Sequence, residues 1–338
     1  MYESFYGLTA KPFQLKPDPS FYFGSKGHKR AMAYLEYGLS QGEGFIVITG
    51  EVGAGKTTLV RNLFRELDSH KILAAQIVNT HLNSDDTLRM VAGAFGLQFE
   101  GATKATLLTR IEQFLRQCDQ NGQRALLVVD EAQNLSPQTV EELRMLSNFQ
   151  TDDKSLLQTF LLGQPEFRKT LLSPEMLQLR QRVIATYHLG PMDAAETRTY
   201  IEHRLHTVGW NGDPSIDDAA FSEIHAFTGG IPRKINTLCD RLFLMGYLEE
   251  LHVFSLPEIQ EVIGDMQQEF DLPNDETEID HAHLRDLATH GMADQPRIDL
   301  DIMDERLSRI ERSVVSVLDA LRKILSSPRL KSPPETHL

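Results

Sequence analysis

The sequence predicts an α/β fold, in which a five-stranded parallel sheet with helices on both faces is followed by a small all-helical domain. Short, partly β-branched apolar runs alternate with segments whose apolar residues recur at helical spacing, as in buried parallel strands joined by helices. From residue 193 onward the strand signals stop and helical patterns continue alone. A heptad pattern near the C-terminus predicts one further helix.

The individual elements follow from these patterns. The predicted strands are Phe45–Thr49, Ile72–Val78, Leu126–Val129, Thr159–Leu162 and Val183–Leu189. The predicted helices are Lys56–Asp68, Asp86–Phe95, Ala105–Asp119 and Pro137–Phe149 around the sheet, and Asp193–Val208, Asp217–Phe227 and Pro232–Glu250 after it. Another helix begins at Ser255, because Glu258 three residues later completes the pattern of a capping box.

Heptad spacing and acidic composition mark the C-terminal part of the chain. Apolar residues fill the a and d positions of a heptad repeat at Leu300, Met303, Leu307, Ile310, Val314, Val317, Leu321 and Ile324. This helix either forms a coiled coil or docks as an amphipathic helix on the protein's own body. The predicted segments are 1–40, leading into the core; 41–191, the core; 192–266, the helical domain; 267–297, an acidic flexible linker; 298–325, the heptad helix; and 326–338, a disordered tail.

Charge and composition narrow the classes of protein to which this sequence can belong. The net charge is −14, and residues 265–297 alone hold nine acidic side chains against two arginines. Nucleic-acid binding through phosphates needs clustered basic residues, so this balance argues against it. The two cysteines, Cys118 and Cys239, suit reduced thiols. The sequence shows neither a signal peptide nor an apolar run long enough to span a membrane, so we expect a cytoplasmic protein.

The segment Gly50–Thr57 matches G-x-x-x-x-G-K-[ST] and lies between a predicted strand and a predicted helix, as a P-loop requires. Its glycines allow backbone N–H groups to face phosphates at a helix N-terminus. Lys56 is expected to reach the β- and γ-phosphates of ATP, Thr57 to bind Mg²⁺ and Thr58 to contact a phosphate oxygen. The predicted nucleotide-binding residues are Gly50, Glu51, Val52, Gly53, Ala54, Gly55, Lys56, Thr57 and Thr58.

A second motif, Leu126–Glu131, is an apolar strand that ends in two carboxylates. Ligands of open α/β sheets bind at the carboxyl ends of the strands, where this pair is expected to lie. Asp130 is predicted to support the Mg²⁺ shell, and Glu131 to act as general base toward the attacking water. Alone such a pair more often marks a solvated strand end, but together with the P-loop it predicts ATP hydrolysis.

Residues 1–266 resemble the AAA+ ATPases of the general secretion pathway protein A type, which include the secretion ATPases of exosortase and exopolysaccharide loci. The resemblance rests on Phe5–Leu8, Pro12–Phe13, Pro17–Pro19, Tyr34–Leu39, Gly50–Thr58, Val129–Gln133, Leu162–Glu166, Leu179–Arg182 and Gly229–Asn236. It implies that Gln164 is the sensor-1 residue and that Arg233 in the helical lid is sensor 2. It also implies that Arg182, or its competitor Arg180, is an arginine finger offered to a neighbouring subunit.

The resemblance further implies a function in the cell envelope. Relatives with a membrane-spanning helix and a peptidoglycan-binding region differ from this sequence, which shows neither, so the shorter exosortase-linked members are the nearer likeness. The implied protein is a homo-oligomeric motor or switch with nucleotide at its subunit interfaces, cytoplasmic or held at the inner membrane through a protein partner in secretion or polysaccharide export. The alternatives are a DNA-associated switch like the transposition target-selection ATPases and a scaffold that lacks ATPase activity.

Overall fold

The five predicted strands form one parallel sheet in the computed structural model of this chain. The structure describes residues 1–16, 18–68, 70–78, 84–152 and 154–270. The predicted heptad helix and tail lie outside the described residues, as does the linker beyond residue 270. The strands are β1 (Phe45–Gly50), β2 (Ile72–Ile77), β3 (Arg124–Val129), β4 (Leu157–Gly163) and β5 (Val183–Leu189).

The strand order, β2-β3-β4-β1-β5, places β4 between β1 and β3. After β1 the chain crosses to the edge of the sheet and forms β2 there. Strand β3 then lies beside β2, and β4 lies between β3 and β1. The order of the strands reverses beside β1, and ligands of open parallel sheets bind beyond the carboxyl ends at such a point. The carboxyl ends of β1, β3 and β4 thus meet at one edge of the sheet.

Twelve α-helices surround the sheet and extend beyond it within the described residues. They are α1 (Tyr2–Phe5), α2 (Lys26–Gln41), α3 (Lys56–Glu66), α4 (Ser84–Ala94), α5 (Lys104–Gln120), α6 (Pro137–Leu146), α7 (Pro165–Leu172), α8 (Leu177–Arg180), α9 (Ala194–Thr207), α10 (Asp218–Thr228), α11 (Pro232–Leu248) and α12 (Leu256–Phe270). None of these described helices has both the length and the apolar character needed to cross a bilayer.

The side chains of the central strands alternate between two apolar cores, as the period of a strand requires. Phe45 and Val47 of β1 pack with residues of α4, α5, α6 and α7 on one face. Ile46 and Ile48 pack with α2 and α3 on the other face. Both faces of the sheet are therefore covered by helices, and the predicted fold class is confirmed.

The helical domain, which we call the lid, contains α9 to α12. Asp193 caps α9, and the carboxylate of Glu258 accepts a hydrogen bond from the N–H of Ser255 (2.8 Å), which is one half of the predicted capping box. The expectation that no strand follows residue 193 was wrong, because β6 (Ser215–Ile216) and β7 (Val253–Phe254) pair in parallel. Two residues are too few to show a strand period. Helix α12 also continues to Phe270, beyond the predicted start of the linker.

The N-terminal segment, expected to lead into the core, divides between two parts of the molecule. Residues of its first half, among them Tyr2, Tyr6 and Phe13, are buried in the apolar core of the lid, where the ring of Tyr6 packs edge-on against Phe243 at 5.4 Å. Helix α2 instead covers the sheet. Residues 12–16 and 18–23, which we call the strap, join these two parts.

The junction between the lid and the sheet depends on Gly230. Its φ is +70°, and a Cβ added there would lie 2.0 Å from the carbonyl oxygen of Met192. The N–H of Met192 donates to the carbonyl of Gly230 (3.0 Å), so the two backbones cannot easily separate. The neighbouring Gly229 has a φ of +58° but no atom within 4 Å of such a Cβ.

We therefore expect Gly230→Ala to lower the free energy of unfolding by about 2 to 4 kcal/mol, because a steric clash adds to the left-handed strain. Gly229→Ala is the matched control and should cost only about 1 kcal/mol, since it suffers the strain alone. Urea unfolding of the full chain measures both. Equal losses for the two variants would contradict this account of the junction.

Candidate nucleotide-binding site

The P-loop connects the end of β1 to the start of α3, as the sequence predicts. Two of its glycines have left-handed backbone, with φ values of +82° at Gly53 and +96° at Gly55. A Cβ at Gly53 would lie 2.3 Å from the Cβ of Arg233, and a Cβ at Gly55 would lie 2.7 Å from Nε2 of His28. These glycines therefore serve both the turn and the close approach of neighbouring side chains.

Lys56 is buried, with 6% of its surface exposed. Its Nζ donates hydrogen bonds to the carbonyls of Gly50 (2.6 Å) and Glu51 (2.9 Å). Burial lowers the pKa of Lys56, and the negative charges of Glu131 and Asp130 oppose that shift. The loop thus holds an ammonium group at the N-terminus of α3, where the helix dipole also favours an anion.

Thr57 and Asp130 come together where α3 faces the end of β3. The hydroxyl of Thr57 donates to the carboxylate of Asp130 (2.8 Å), and the N–H of Glu131 donates to the other oxygen (3.0 Å). Asp130 is 2% exposed, and burial raises its pKa although these hydrogen bonds oppose the shift. A carboxylate and a hydroxyl are oxygen ligands that suit Mg²⁺, so the pair fits the predicted metal role.

Glu131 lies in the left-handed region, with φ 56° and ψ 41°. One of its carboxylate oxygens accepts hydrogen bonds from the side-chain amides of Gln133 (2.6 Å) and Gln164 (3.2 Å). Burial alone would raise the pKa of Glu131, but the two amides and the charge of Lys56 hold it below its usual range. The carboxylate is therefore kept ionised by its neighbours.

Gln133 has a place in this site that sequence reasoning did not assign. Besides holding Glu131, its side-chain oxygen accepts the backbone N–H of Gln164 (2.9 Å). It thus links the segment after β3 to the segment after β4. The available signal was its position two residues after Glu131, in a motif that contributed to the family resemblance.

The lid closes one side of the cavity above the P-loop. The backbone N–H of Arg233 donates to the carbonyl of Gly53 (3.2 Å), which brings the N-terminus of α11 onto the loop. Arg233 lines the same cavity as Lys56, Thr57, Thr58 and Glu131. The structure therefore brings together the predicted sensor 2 and the predicted P-loop residues.

The strap and α2 form another side of this cavity, which the sequence analysis missed. The lining residues from this side are Gln14, Leu15, Lys16, Asp18, Phe21, Tyr22, Phe23 and His28. His28 packs under the P-loop, where it bonds to the backbone of Ala54 and to the hydroxyl of Ser25 (2.8 Å), and its burial lowers its pKa. No local pattern distinguishes such a histidine from a surface one.

Arg182 lies apart from the nucleotide cavity of its own chain. Its carbonyl accepts the N–H of Phe45 at the start of β1, whereas the P-loop follows the end of that strand. Six strand residues span about 20 Å, so the two sites occupy opposite edges of the sheet. The Arg182 guanidinium donates to Ser147 Oγ (2.7 Å) and to Asn148 Oδ1, whereas the Arg180 guanidinium donates to backbone carbonyls near the end of α7.

Comparisons with known proteins agree with this geometry. A family model for the AAA domain matches residues 39–171. General secretion pathway protein A of Aeromonas hydrophila is 39% identical over 253 residues, which cover 75% of this chain and 46% of that protein. This chain therefore spans about half the length of that relative.

Solved structures show the same fold at low sequence identity. The ORC2 protein of Aeropyrum pernix, in ADPNP and ADP complexes, is 16% identical with a TM-score of 0.58 over 75% of this chain and 71% of that chain. Cdc6p of Pyrobaculum aerophilum is 15% identical with a TM-score of 0.57 over 75% and 70% of the two chains. The P-loop, the parallel sheet and these similarities agree: the chain belongs to the AAA+ P-loop family and is related to general secretion pathway protein A.

Proposed function

We propose that this protein is a Mg²⁺-dependent ATPase that acts as a motor or switch for an envelope secretion or exopolysaccharide-export system. One observation carries the proposal. An ionised carboxylate, Glu131, is held by two amides at the sheet edge where the buried Lys56 and the Thr57–Asp130 pair also lie. That combination suits phosphoryl transfer to water, which depends mainly on positioning and charge.

Each side chain has a role in this reaction. Lys56 binds the β- and γ-phosphates, while Thr57 and Asp130 hold Mg²⁺, which neutralises phosphate charge when it is bound. Glu131 accepts a proton from the attacking water, and Gln133 and Gln164 orient its carboxylate. Gln164 and Arg233 act as sensors of the γ-phosphate, from the end of β4 and from the lid.

The proposed cellular role rests on the sequence similarity to one relative. The similarity to general secretion pathway protein A supports a task in secretion, with a protein partner in that assembly. ATP is available in the cytoplasm, so we place the protein there or at the inner membrane through that partner. We also propose a homo-oligomer in which Arg182 serves the nucleotide site of a neighbouring subunit, since Arg182 lies beside the start of β1 whereas its own P-loop follows the end of that strand.

Two substitutions test the proposed reaction. Lys56→Ala should weaken ATP binding by at least about tenfold, because it removes a buried charge-assisted contact to the phosphates. Glu131→Gln should retain ATP binding but lower turnover by about 10² to 10⁴, the usual contribution of a general base. Calorimetric titration and phosphate release measure the two effects. Lys71→Ala and Glu112→Gln, neither of which lines the cavity, are the controls. Unchanged turnover in both test variants would refute the reaction.

The pH dependence tests the amides that hold Glu131. The base must be ionised, so activity should be lost as pH falls through its pKa, and the two amides place that loss at lower pH. Gln133→Ala removes one of these donors and should move the acidic limb of kcat/KM to higher pH. Gln138→Ala, on the exposed surface of α6, should leave the limb in place. A limb that did not move in Gln133→Ala would show that this amide does not tune Glu131.

A mixing experiment tests the finger. Arg182→Ala should keep ATP binding and lose turnover, because its own cavity is intact and its neighbour's cavity lacks the guanidinium. Mixing Arg182→Ala with Glu131→Gln should restore part of the turnover, since Glu131→Gln supplies an intact Arg182 to the intact site. The same mixture made with Arg180→Ala tests the competing arginine. Absence of recovery in the Arg182 mixture would count against a shared site.

A further inference from the structure

Arg204 is a buried arginine of the lid whose guanidinium faces the strap. It is 6% exposed, and it lines the nucleotide cavity. Its Nε donates to the carbonyl of Pro12 (2.5 Å), one terminal nitrogen donates to the hydroxyl of Tyr200 (2.9 Å) and the other to the carbonyl of Gln14 (3.4 Å). The guanidinium thus ties α9 to two backbone positions of the strap.

The neighbours of Arg204 are unusual for a buried charge. Its acceptors are neutral, and no carboxylate forms an ion pair with it among the residues that the structure describes. The ring of Phe21 lies 4.6 Å from its central carbon, which adds a cation–π contact. Burying a guanidinium is costly, and hydrogen bonds must offset that cost. The planar guanidinium holds the carbonyls of Pro12 and Gln14 and the hydroxyl of Tyr200 in fixed positions.

The hydroxyl of Tyr200 extends this network to the other side of the cavity. It accepts a hydrogen bond from Arg204 and donates its own proton to Oδ1 of Asn236 (2.9 Å). Asn236 is 6% exposed and lies three residues after Arg233 in α11, so the two residues share a face of that helix. A continuous path of hydrogen bonds therefore runs from the strap to the helix that carries Arg233.

The contact of α11 with the P-loop connects this hydrogen-bond path to the nucleotide site. Arg233 lies in the first turn of α11, where its backbone N–H donates to the carbonyl of Gly53. A small rotation of α11 would therefore move its guanidinium relative to the phosphates. Such a rotation would strain the hydrogen bond between Asn236 and Tyr200, so the network inside the lid opposes it.

We infer that Arg204, Tyr200 and Asn236 are positioning residues, which set the orientation of α11 and thereby let Arg233 distinguish ATP from ADP. This inference rests on the proposed function, in which Arg233 senses the γ-phosphate. Tyr200 lines the cavity, but its hydroxyl donates its proton to Asn236 and accepts a hydrogen bond from Arg204, so we assign this hydroxyl a positioning role. Its effect reaches the triphosphate through Arg233.

Tyr200→Phe removes this hydroxyl and keeps the ring. We expect affinity for ATP to fall about fivefold to tenfold, the usual worth of one hydrogen bond, whereas affinity for ADP changes less than about twofold. Calorimetric titration of the full chain with Mg²⁺, in the Glu131→Gln background that prevents turnover, measures both. Tyr6→Phe is the matched control, because its buried hydroxyl donates to the carbonyl of Leu251 (2.8 Å) outside the cavity, and both affinities should persist.

A double-variant cycle distinguishes an effect of Tyr200 through Arg233 from a direct contact of Tyr200 with the nucleotide. If Tyr200 acts through Arg233, Tyr200→Phe combined with Arg233→Ala should bind ATP no more weakly than Arg233→Ala alone. If the losses of ATP affinity in the two single variants multiply in the double variant, the inference is overturned. It is also overturned if Tyr200→Phe leaves the ratio of ATP affinity to ADP affinity unchanged.

Asn236→Ala removes the acceptor at the other end of the bond, and it replaces Tyr200→Phe if that variant does not fold. The same loss of ATP preference is expected, and an unchanged preference overturns the inference. Lys56→Ala, titrated in parallel, separates a failure of the proposed function from a failure of the positioning role. If Lys56→Ala leaves ATP binding intact, the proposed function fails; if it abolishes binding while Tyr200→Phe keeps the ATP preference, only the positioning role fails.

Discussion

The ammonium group of Lys56 is buried inside the loop that carries it, and two carbonyls of that loop accept its hydrogen bonds. A buried cation requires such acceptors, and the loop can present them only by curling back on itself. That curl requires the left-handed backbone of Gly53 and Gly55. It also directs the N-terminus of α3 into the cavity. The same curl of the backbone therefore stabilises the loop and creates its anion-binding site.

The parallel sheet supplies the other half of the site. Gly50, Glu131 and Gln164 are distant in the chain, but each follows or ends a strand whose carboxyl end lies at the same edge. Because β4 lies between β1 and β3, Gln164 can reach the carboxylate of Glu131. The strand order thus determines which side chain can hold the base, and Gln133 completes that arrangement.

The lid and the N-terminal strap form one packed body. Phe13 and Phe21 of the strap are buried in the lid core, and Arg204 bonds to the strap backbone. A change in lid angle must therefore carry the strap with it, because separating them would expose aromatic surface and leave a buried guanidinium without acceptors. Such a change would move two walls of the cavity together, and Arg233 with them.

The sequence by itself determined the features that depend on local signals. The five strands, the P-loop and the pair after β3 were predicted because strand period and motif spacing are properties of short segments. Only the tertiary structure decided the rest. The pairing of β6 with β7 was too short to leave a period. The packing of Tyr2, Tyr6 and Phe13 in the lid core, of His28 under the P-loop and of Pro12 against Arg204 depends on positions far apart in the chain. Long-range packing chooses such partners, and no local pattern encodes it.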